Sequence, residues 1–166
     1  MNSIELKPLR AKDLEPLEQH YPSEDEAKYR NRLVEQQVGG IVCLIAWIEE
    51  VPVGRGFIRW SPDEPVRSAL PGVPLLGDLG VREDLQSRGI GSRIMEEIES
   101  LARASGYESL ALSVDVSNKD ARRLYERRGY LESDIPHTPS SWSWIDREGQ
   151  LRTEQGLLVY MHRSLR

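Results

Sequence analysis

Hydrophobic positions recur along the chain with two periods, and together these predict alternating strands and helices. A period of two, typical of a strand with one buried face, starts at Ile4 and Leu6 and returns at residues 110–116. A helical period runs from Ile90 to Arg103, and its apolar side should pack on a sheet. The predicted strands are 4–7, 41–48, 51–60, 75–81, 110–116, 130–135 and 155–161, and the predicted helices are 11–20, 25–37, 90–103 and a last one between Asn118 and Gly129.

The order of strand 75–81, helix 90–103 and strand 110–116 indicates a right-handed crossover between parallel strands, and therefore an α/β fold. Gly77 and Gly80 interrupt the first of these strands. Glycines inside a strand suggest a bulge or the close approach of another backbone, so we expect one of these beside the central strand.

Two local signals bear on where the other elements begin and end. Ser23 and Glu26 have the spacing of a capping box, which predicts that the second helix starts close to them. The stretch 136–149 is predicted as a loop between the two last strands. It holds Trp142 and Trp144, and two interpretations stay open: the indoles line a pocket, or they pack beneath the loop, which is the commoner arrangement.

The stretch 86–92, Gln-Ser-Arg-Gly-Ile-Gly-Ser, lies between a predicted strand and a predicted helix. Backbone N–H groups at a helix N-terminus have no partners within the helix and carry the positive end of its dipole. Gly89 and Gly91 let the backbone approach a ligand closely, because neither has a Cβ. The stretch therefore predicts a phosphate or pyrophosphate site. It is not a P-loop, since no Gly-Lys-Ser/Thr follows, and Ile94 stands where a dinucleotide fingerprint has its third glycine.

The same stretch matches Gln/Arg-x-x-Gly-x-Gly/Ala, the acyl-CoA pyrophosphate loop of the GNAT N-acetyltransferases. Residues 118–130, Asn-Lys-Asp-Ala-Arg-Arg-Leu-Tyr-Glu-Arg-Arg-Gly-Tyr, resemble the GNAT pattern of an Asn, an Ala three residues on, a Leu-Tyr pair and a final Gly-Phe/Tyr. Two loose motifs in the right order and spacing form a specific combination. The chain therefore resembles the GNAT family, closely over residues 75–131 and in outline elsewhere.

The resemblance implies a GNAT fold, with a mixed central β-sheet of six to seven strands and helices on both faces, in one domain over residues 1–166. It also implies a splayed parallel strand pair whose free backbone groups bind the pantetheine arm of acetyl-CoA, the expected co-substrate. The residues expected to bind acetyl-CoA are Leu79, Gly80, Val81, Gln86, Ser87, Arg88, Gly89, Ile90, Gly91, Ser92, Asn118 and Tyr125.

Transfer of an acetyl group from a thioester to an amine needs a neutral amine, a hydrogen bond to the carbonyl oxygen and a proton for the leaving thiolate. The resemblance places the hydroxyl of Tyr125 near the CoA sulfur, so Tyr125 is the predicted general acid. From periodicity alone it would be a helix tyrosine packed beside Leu124. Asn118 is predicted to position the CoA arm, to cap the helix, or to do both.

The general base is predicted at Asp78, a central-strand position that is often acidic in this family, from which a carboxylate would accept the amine's proton through water. The sequence departs from the family at two places. Gly77 stands where some relatives carry the acidic base, and Ser113 replaces the glutamate of the bacterial ribosomal-protein N-terminal acetyltransferases. Asp115 and Glu83 are alternatives, and ordered water without any single base is another.

These features predict an enzyme that transfers the acetyl group of acetyl-CoA to a primary amine by direct attack. The acceptor is a small-molecule or peptide amine that the sequence does not identify further. One alternative is a regulatory module that binds acetyl-CoA and catalyses no transfer. Another is transfer of a longer acyl chain, unless the bulk around Leu79 and Leu112 excludes it.

The composition limits which binding partners and which cellular compartment are expected. With 22 basic and 27 acidic residues the net charge is −5, which argues against nucleic acid as the main partner. No apolar run approaches the ~20 residues needed to cross a membrane, and the N-terminus lacks the features of a signal peptide. A cytoplasmic protein is therefore expected, and homodimers are common among the proteins it resembles.

The potential metal ligands and the cysteine add no chemistry of their own. Three histidines are scattered without metal-ligand spacing, so no metal site is predicted. A single cysteine excludes an internal disulfide framework. Cys43 stands in the apolar run 41–45, which predicts a buried strand thiol rather than a nucleophile.

Overall fold

The computed structural model describes residues 3–166, which form an eight-stranded sheet flanked by helices. The strands are β1 (Glu5–Pro8), β2 (Ile41–Ile48), β3 (Val51–Arg59), β4 (Leu75–Val81), β5 (Ser109–Asp115), β6 (Leu131–Glu132), β7 (Thr138–Ile145) and β8 (Leu151–Ser164). The helices are α1 (Leu14–His20), α2 (Lys28–Gln37), α3 (Val66–Ala69), α4 (Ile90–Ala104) and α5 (Lys119–Arg127). Neighbouring strands follow the order β1-β2-β3-β4-β5-β8-β6, and β7 also pairs with β8. Only the β4–β5 pair is parallel among these described strands.

This architecture confirms the predicted mixed α/β sheet, but the stretch 136–149 was wrongly predicted as a loop. It contains β7, which pairs in register with β8 through Ser141↔Gln155 and Trp142↔Glu154. The strand escaped prediction because both of its faces carry serines, so the usual alternation of apolar and polar residues is weak. The hairpin of β7 and β8 accounts for the additional strand.

The second helix begins at Lys28, later than predicted, and the capping box of Ser23 and Glu26 was a wrong prediction. The Oγ of Ser23 accepts a hydrogen bond from the N–H of Asp25 at 3.2 Å, and the Oδ1 of Asp25 accepts one from the N–H of Ala27 at 3.1 Å. These local bonds hold the chain in a turn instead of a first helical turn. The connection between α1 and α2 is therefore a structured loop.

Helix α4 packs its apolar side on one face of the sheet, as its period predicts. Ile94, Met95 and Ile98 are fully buried there, at 0% exposure. Burying a side chain of this size stabilises a fold by about 1.5–3 kcal/mol. The helix lies so close to β3 that a Cβ on Gly56 would stand 2.8 Å from the Cγ2 of Ile94. This close packing holds the N-terminus of α4 at a defined place beside the sheet.

The opposite face of the sheet is covered by α1 and α2. A second hydrophobic cluster joins Leu17 and Tyr29 of these helices to Cys43 and Phe57 of the strands. Cys43 is buried as predicted, and this burial raises the pKa of its thiol to about 12. A protonated thiol is a poor nucleophile, so this environment agrees with the prediction of a buried strand thiol.

The parallel strands β4 and β5 separate soon after they start. Their register ends at Leu76 and Leu112, although β4 continues to Val81. On the other edge of β4, the register with β3 shifts between Arg55 and Phe57, which is the irregularity that the strand glycines predict. The second half of β4 therefore has no ladder partner on the β5 side.

Candidate functional site

A cleft of about 800 Å³ opens between the end of β4, the start of α4 and helix α5, and we call it the α4–α5 cleft. It forms where β4 and β5 have separated. Ten of the residues that the sequence predicts to bind acetyl-CoA line it: Leu79, Gly80, Val81, Gln86, Ser87, Gly89, Gly91, Ser92, Asn118 and Tyr125. The fold thus brings the two sequence motifs together around one cavity.

Arg88 and Ile90, which were also predicted to bind acetyl-CoA, have their side chains on another side of the loop. They line an apolar groove of about 690 Å³ together with Ile48 and Val53. The side chain of Ile90 is only 2% exposed. A contact of either residue with a ligand in the α4–α5 cleft would therefore come from its backbone N–H group.

The loop before α4 has the backbone shape of an anion site. Ser87 and Gly89 both adopt left-handed conformations, with φ of 63° and 84°. Gly89 is the N-cap of α4, and no side chain caps the first N–H groups of that helix. A Cβ at Gly89 would meet no atom within 4 Å, so the backbone angle and not the space requires glycine. The free N–H groups and the helix dipole together favour a negatively charged ligand.

Asn118 and Tyr125 reach the cleft from α5. The Oδ1 of Asn118 accepts a hydrogen bond from the N–H of Ala121 at 3.2 Å, so Asn118 is the N-cap of this helix. Tyr125 is 8% exposed, and burial raises the pKa of its phenol. A phenol that stays protonated at neutral pH is a proton donor, as a general acid must be.

A second cavity of about 860 Å³ lies beside β4 on the side of the α1–α2 connection, and we call it the hairpin pocket. Its walls are that connection, the start of α2, β3, the first half of β4 and the β7–β8 hairpin. Trp142 and Trp144 both line it, so of the two interpretations of this pair the pocket is the one realised. Asp78 lines the hairpin pocket and Leu79 lines the α4–α5 cleft, so consecutive residues of β4 border the two cavities.

The tip of the β7–β8 hairpin is bound to the opposite wall of the hairpin pocket. The Nε of Arg147 donates a hydrogen bond to the carbonyl oxygen of Ser23 at 2.9 Å. The guanidinium of Arg147 also pairs with the carboxylate of Glu18, with 3.0 Å between Nη2 and Oε2. These contacts join the hairpin to α1 and to the connection that follows it.

Asp78 is surrounded by three cations in the wall of the hairpin pocket. Its carboxylate lies 2.8 Å from the Nζ of Lys28, 3.3 Å from the Nε of Arg55 and 3.6 Å from the Nε of Arg32. Burial alone would raise the pKa of Asp78, but Arg55, Lys28 and Arg32 outweigh burial and lower it. Asp78 is therefore an ionised and weakly basic carboxylate. Its predicted role as a general base stays a prediction.

The cations of this cluster and one tyrosine are site residues that the sequence reasoning missed. Lys28 and Arg32 lie on a helix that is charged on most sides, so nothing in the pattern distinguishes them. Arg55 carried a signal, because it is a charge inside an otherwise apolar strand. Tyr21 carried none, yet a Cβ on Gly80 would lie 2.6 Å from its hydroxyl, so this hydroxyl stands against the unpaired half of β4.

The two weaker candidates for a base lie elsewhere. Asp115 accepts hydrogen bonds from Ser117 and from the N–H of Leu157, which lower the pKa of its carboxyl. Glu83 lies in the short 3₁₀ turn after β4 and lines neither cavity.

Within residues 3–166, no three His, Cys, Asp or Glu side chains cluster closely enough to hold a metal ion. In the same part of the chain, no helix combines the length and the apolar character needed to cross a membrane.

Comparison with known proteins shows which family the chain matches. Residues 5–130 match the family model of the acetyltransferase (GNAT) family. The chain is similar to the N-acetyltransferase YycN of Bacillus subtilis, with 30% identity over 83 residues, which are 50% of each chain. It is also similar to the chloroplastic GCN5-related N-acetyltransferase 4 of Arabidopsis thaliana, with 31% identity over 72 residues, which are 43% of this chain and 25% of that protein. These matches span a quarter to a half of the length of the two relatives.

Solved structures show the same fold. YncA of Salmonella typhimurium, described as an acetyltransferase and solved with its cofactor acetyl-CoA, superposes with a TM-score of 0.66. The superposition covers 99% of this chain and 95% of that one, at 12% sequence identity.

Proposed function

The chain belongs to the acetyltransferase (GNAT) family, and we propose that it transfers the acetyl group of acetyl-CoA to a primary amine. The observation that carries this proposal is the meeting of two cavities at one point of β4. The α4–α5 cleft ends at Leu79, and the hairpin pocket ends at the preceding residue, Asp78. A thioester bound in the first cavity and an amine bound in the second would have their reacting atoms next to each other, which is the main requirement for direct transfer.

Acetyl-CoA fits the chemistry of the α4–α5 cleft. The N–H groups of the loop before α4 would hold its pyrophosphate, as argued from the left-handed Ser87 and Gly89. The second half of β4, whose edge toward β5 is unpaired, would hold the pantetheine arm by backbone hydrogen bonds. Arg123 and Arg127 also line the cleft and offer positive charge to the phosphates.

The proposed reaction is a direct attack. The amine nitrogen forms a bond to the thioester carbon while the bond from this carbon to sulfur breaks. The nitrogen loses one proton and the sulfur gains one, so the products are an amide and a free thiol. No covalent intermediate with the protein forms in a direct attack. The chain therefore needs only to position both reactants, to stabilise the carbonyl oxygen and to move protons.

Tyr125 is the proposed general acid for the departing sulfur. It lines the α4–α5 cleft together with Leu79 and Gly80, and its raised pKa keeps the phenol protonated. After the proton is given up, the burial that raises its pKa also favours the rapid return of a proton. Asn118, from the start of the same helix, is proposed to hold the CoA arm as well as to cap α5.

Asp78 is the proposed acceptor of the amine's proton, through water. Its three ion pairs keep it ionised and lower its pKa, so it is a weak base, and its position between the two cavities is what supports this role. We further propose that the acceptor is a small-molecule or peptide amine met in the cytoplasm, with no nucleic acid or membrane as partner. A homodimer stays an expectation from the family.

A thiol-release assay with acetyl-CoA and a panel of amines tests the transfer, and calorimetry with acetyl-CoA and CoA tests the binding. Amine-dependent release of thiol is the expected result. Tight binding of acetyl-CoA without release from any amine would favour a regulatory module that senses the thioester. Failure of both ligands to bind would reject the assignment of the α4–α5 cleft and the proposal with it.

A further inference from the structure

The inner wall of the hairpin pocket holds more positive than negative charge. Lys28, Arg32, Arg55 and Asp78 line the pocket. With Arg59 and Glu35, which do not line it, they form one connected set of ion pairs, four cations and two carboxylates, and we call this set the basic wall. Its formal excess is two positive charges, and the side chains are only 16–30% exposed. Charge in excess at a poorly solvated surface is unfavourable unless a counter-ion binds.

Two atoms of the basic wall have no hydrogen-bond partner of suitable geometry among residues 3–166. They are the buried Nε atoms of Arg32 and Arg55. Both lie near the Oδ2 of Asp78, at 3.6 Å and 3.3 Å, as ion pairs without a hydrogen bond. Both arginines line the hairpin pocket. An anionic group in the pocket would balance the positive charge of these arginines, which this one carboxylate does not.

The acidic residues that also line the pocket do not neutralise this wall. Glu24 and Glu154 are exposed to solvent, where water and salt screen their charge. The carboxylate of Asp25 is used within its own turn, where it accepts a hydrogen bond from the N–H of Ala27. Because the uncompensated cations are on the inner wall, an acceptor made only of amines would bring further positive charge against them.

The position of the basic wall determines the distance, within the acceptor, between its anionic group and its reacting amine. Asp78, at its centre, directly precedes Leu79, where the amine would meet the thioester. A carboxylate held by Arg32 and Arg55 would therefore lie only a few bonds from the nitrogen, as in an amino acid. Trp142 and Trp144 form an aromatic surface in the same pocket, suited to an apolar side chain.

Resting on the function proposed above, we infer that the acceptor is a free amino acid or a close analogue, with a carboxylate near its amine and an apolar side chain. Lys28, Arg32 and Arg55 would bind the carboxylate by charge-assisted hydrogen bonds. Trp142 and Trp144 would contact the side chain. Polyamines and other acceptors without an acid group would be poor substrates.

Thiol release with matched pairs of amines tests this inference. The pairs are L-tryptophan with L-tryptophanamide, L-phenylalanine with L-phenylalaninamide and L-leucine with L-leucinamide, and spermidine serves as an acid-free amine. Each acid is expected to exceed its amide in kcat/KM by about tenfold to a hundredfold, the range typical of a charge-assisted pair. The amine of the amide loses its proton more easily than the amine of the acid, so intrinsic reactivity favours the amide. A preference for the acid must therefore come from contacts with the protein.

Two variants test whether the basic wall causes the preference for acids over amides. Arg32→Gln and Lys28→Met should each lower kcat/KM for the acids about tenfold more than for the amides, so that the pairs become alike. The matched control is Arg67→Gln, which removes an exposed arginine from outside both cavities and should keep the preference. Thermal unfolding of each variant separates this result from a loss of fold.

Calorimetry with CoA-loaded protein gives an answer that does not depend on turnover. N-acetyl-L-tryptophan should bind about tenfold or more tightly than N-acetyl-L-tryptophanamide. Amides or spermidine that match the acids in turnover, or equal binding of the two probes, would overturn the inference and leave the acetyl transfer standing. Loss of acetyl-CoA binding, or no thiol release from any amine, counts against the proposed function instead.

Discussion

The Nζ of Lys28 lies 2.8 Å from the Oδ1 of Asp78, across 50 positions of sequence. This ion pair joins α2, a wall of the hairpin pocket, to the strand that borders the α4–α5 cleft. Both side chains are mostly buried, at 19% and 17% exposure. A change at Asp78 should therefore alter stability and acceptor binding together.

Replacing Asp78 by Asn is expected to destabilise the fold by about 2–3 kcal/mol, because it leaves poorly solvated cations without their shared carboxylate. Asp78 has a φ of 51°, and Asn tolerates that left-handed conformation, so the backbone adds little to the effect. Urea unfolding measures the change. The control Asp84→Asn removes a 62%-exposed partner of Arg82 and should cost much less, because water and salt screen an exposed ion pair. Equal losses in both variants would contradict the prediction.

The same residue makes a prediction about pH. Its folded-state pKa is lowered from the usual 3.8, so its contribution to stability is fully present above about pH 4 and is lost as pH falls through the lower folded value. The free energy of unfolding of the parent protein should therefore decline below pH 4 more steeply than that of Asp78→Asn. Parallel curves for the two proteins would show that the carboxylate is not held by its ion pairs.

Tyr125→Phe is expected to lower kcat about a hundredfold, the usual contribution of a general acid, while acetyl-CoA affinity changes less than about twofold. The ring is kept, so packing against Tyr130 should persist. Steady-state thiol release measures kcat and calorimetry measures affinity. The control Tyr107→Phe alters a half-buried tyrosine that stacks on Trp60 and lines neither cavity. Unchanged kcat in Tyr125→Phe would remove this residue from the mechanism.

The sequence was sufficient to predict the strand–loop–helix unit that builds the α4–α5 cleft. Its signals are local: an apolar strand run, the glycines on either side of Ile90 and the helical period that starts there. The asparagine cap of α5 is likewise readable from its spacing, whereas the predicted role of Tyr125 follows from the resemblance to the GNAT family. Such elements are predictable because neighbouring residues determine them.

The hairpin pocket was not predictable in the same way. Its parts come from the α1–α2 connection, the middle of the sheet and the end of the chain, and only tertiary structure brings them together. Arg147 and Ser23 are 124 residues apart, and no sequence pattern near either residue predicts the contact. The serine-rich strand β7 also gave a weak pattern, since one of its faces meets solvent and the other a cavity. Binding surfaces made from distant segments are therefore the last features that a single sequence shows.

Gly89→Asp is expected to weaken acetyl-CoA binding at least about tenfold, because it places a carboxylate where the pyrophosphate would meet the N-terminus of α4. Any residue other than glycine is strained at its φ of 84°. Gly89→Asn is therefore the matched control, since it has a similar shape and strain without the charge. Calorimetry should rank affinity as parent, then Asn, then Asp. Equal affinities of the Asn and Asp variants would show that no phosphate lies near this residue.

Arg147→Ala is expected to raise KM for the acceptor about threefold to tenfold while leaving acetyl-CoA affinity unchanged, because it frees the hairpin tip that closes the hairpin pocket. The ion pair with Glu18 is exposed, so stability should change by less than about 1 kcal/mol. Glu18→Gln should give a smaller rise in KM, since the bond from Arg147 to Ser23 remains. Thiol release at varied acceptor concentration measures KM, and calorimetry measures acetyl-CoA binding. A fall in acetyl-CoA affinity with KM unaltered would mean that the hairpin supports the α4–α5 cleft and not the acceptor.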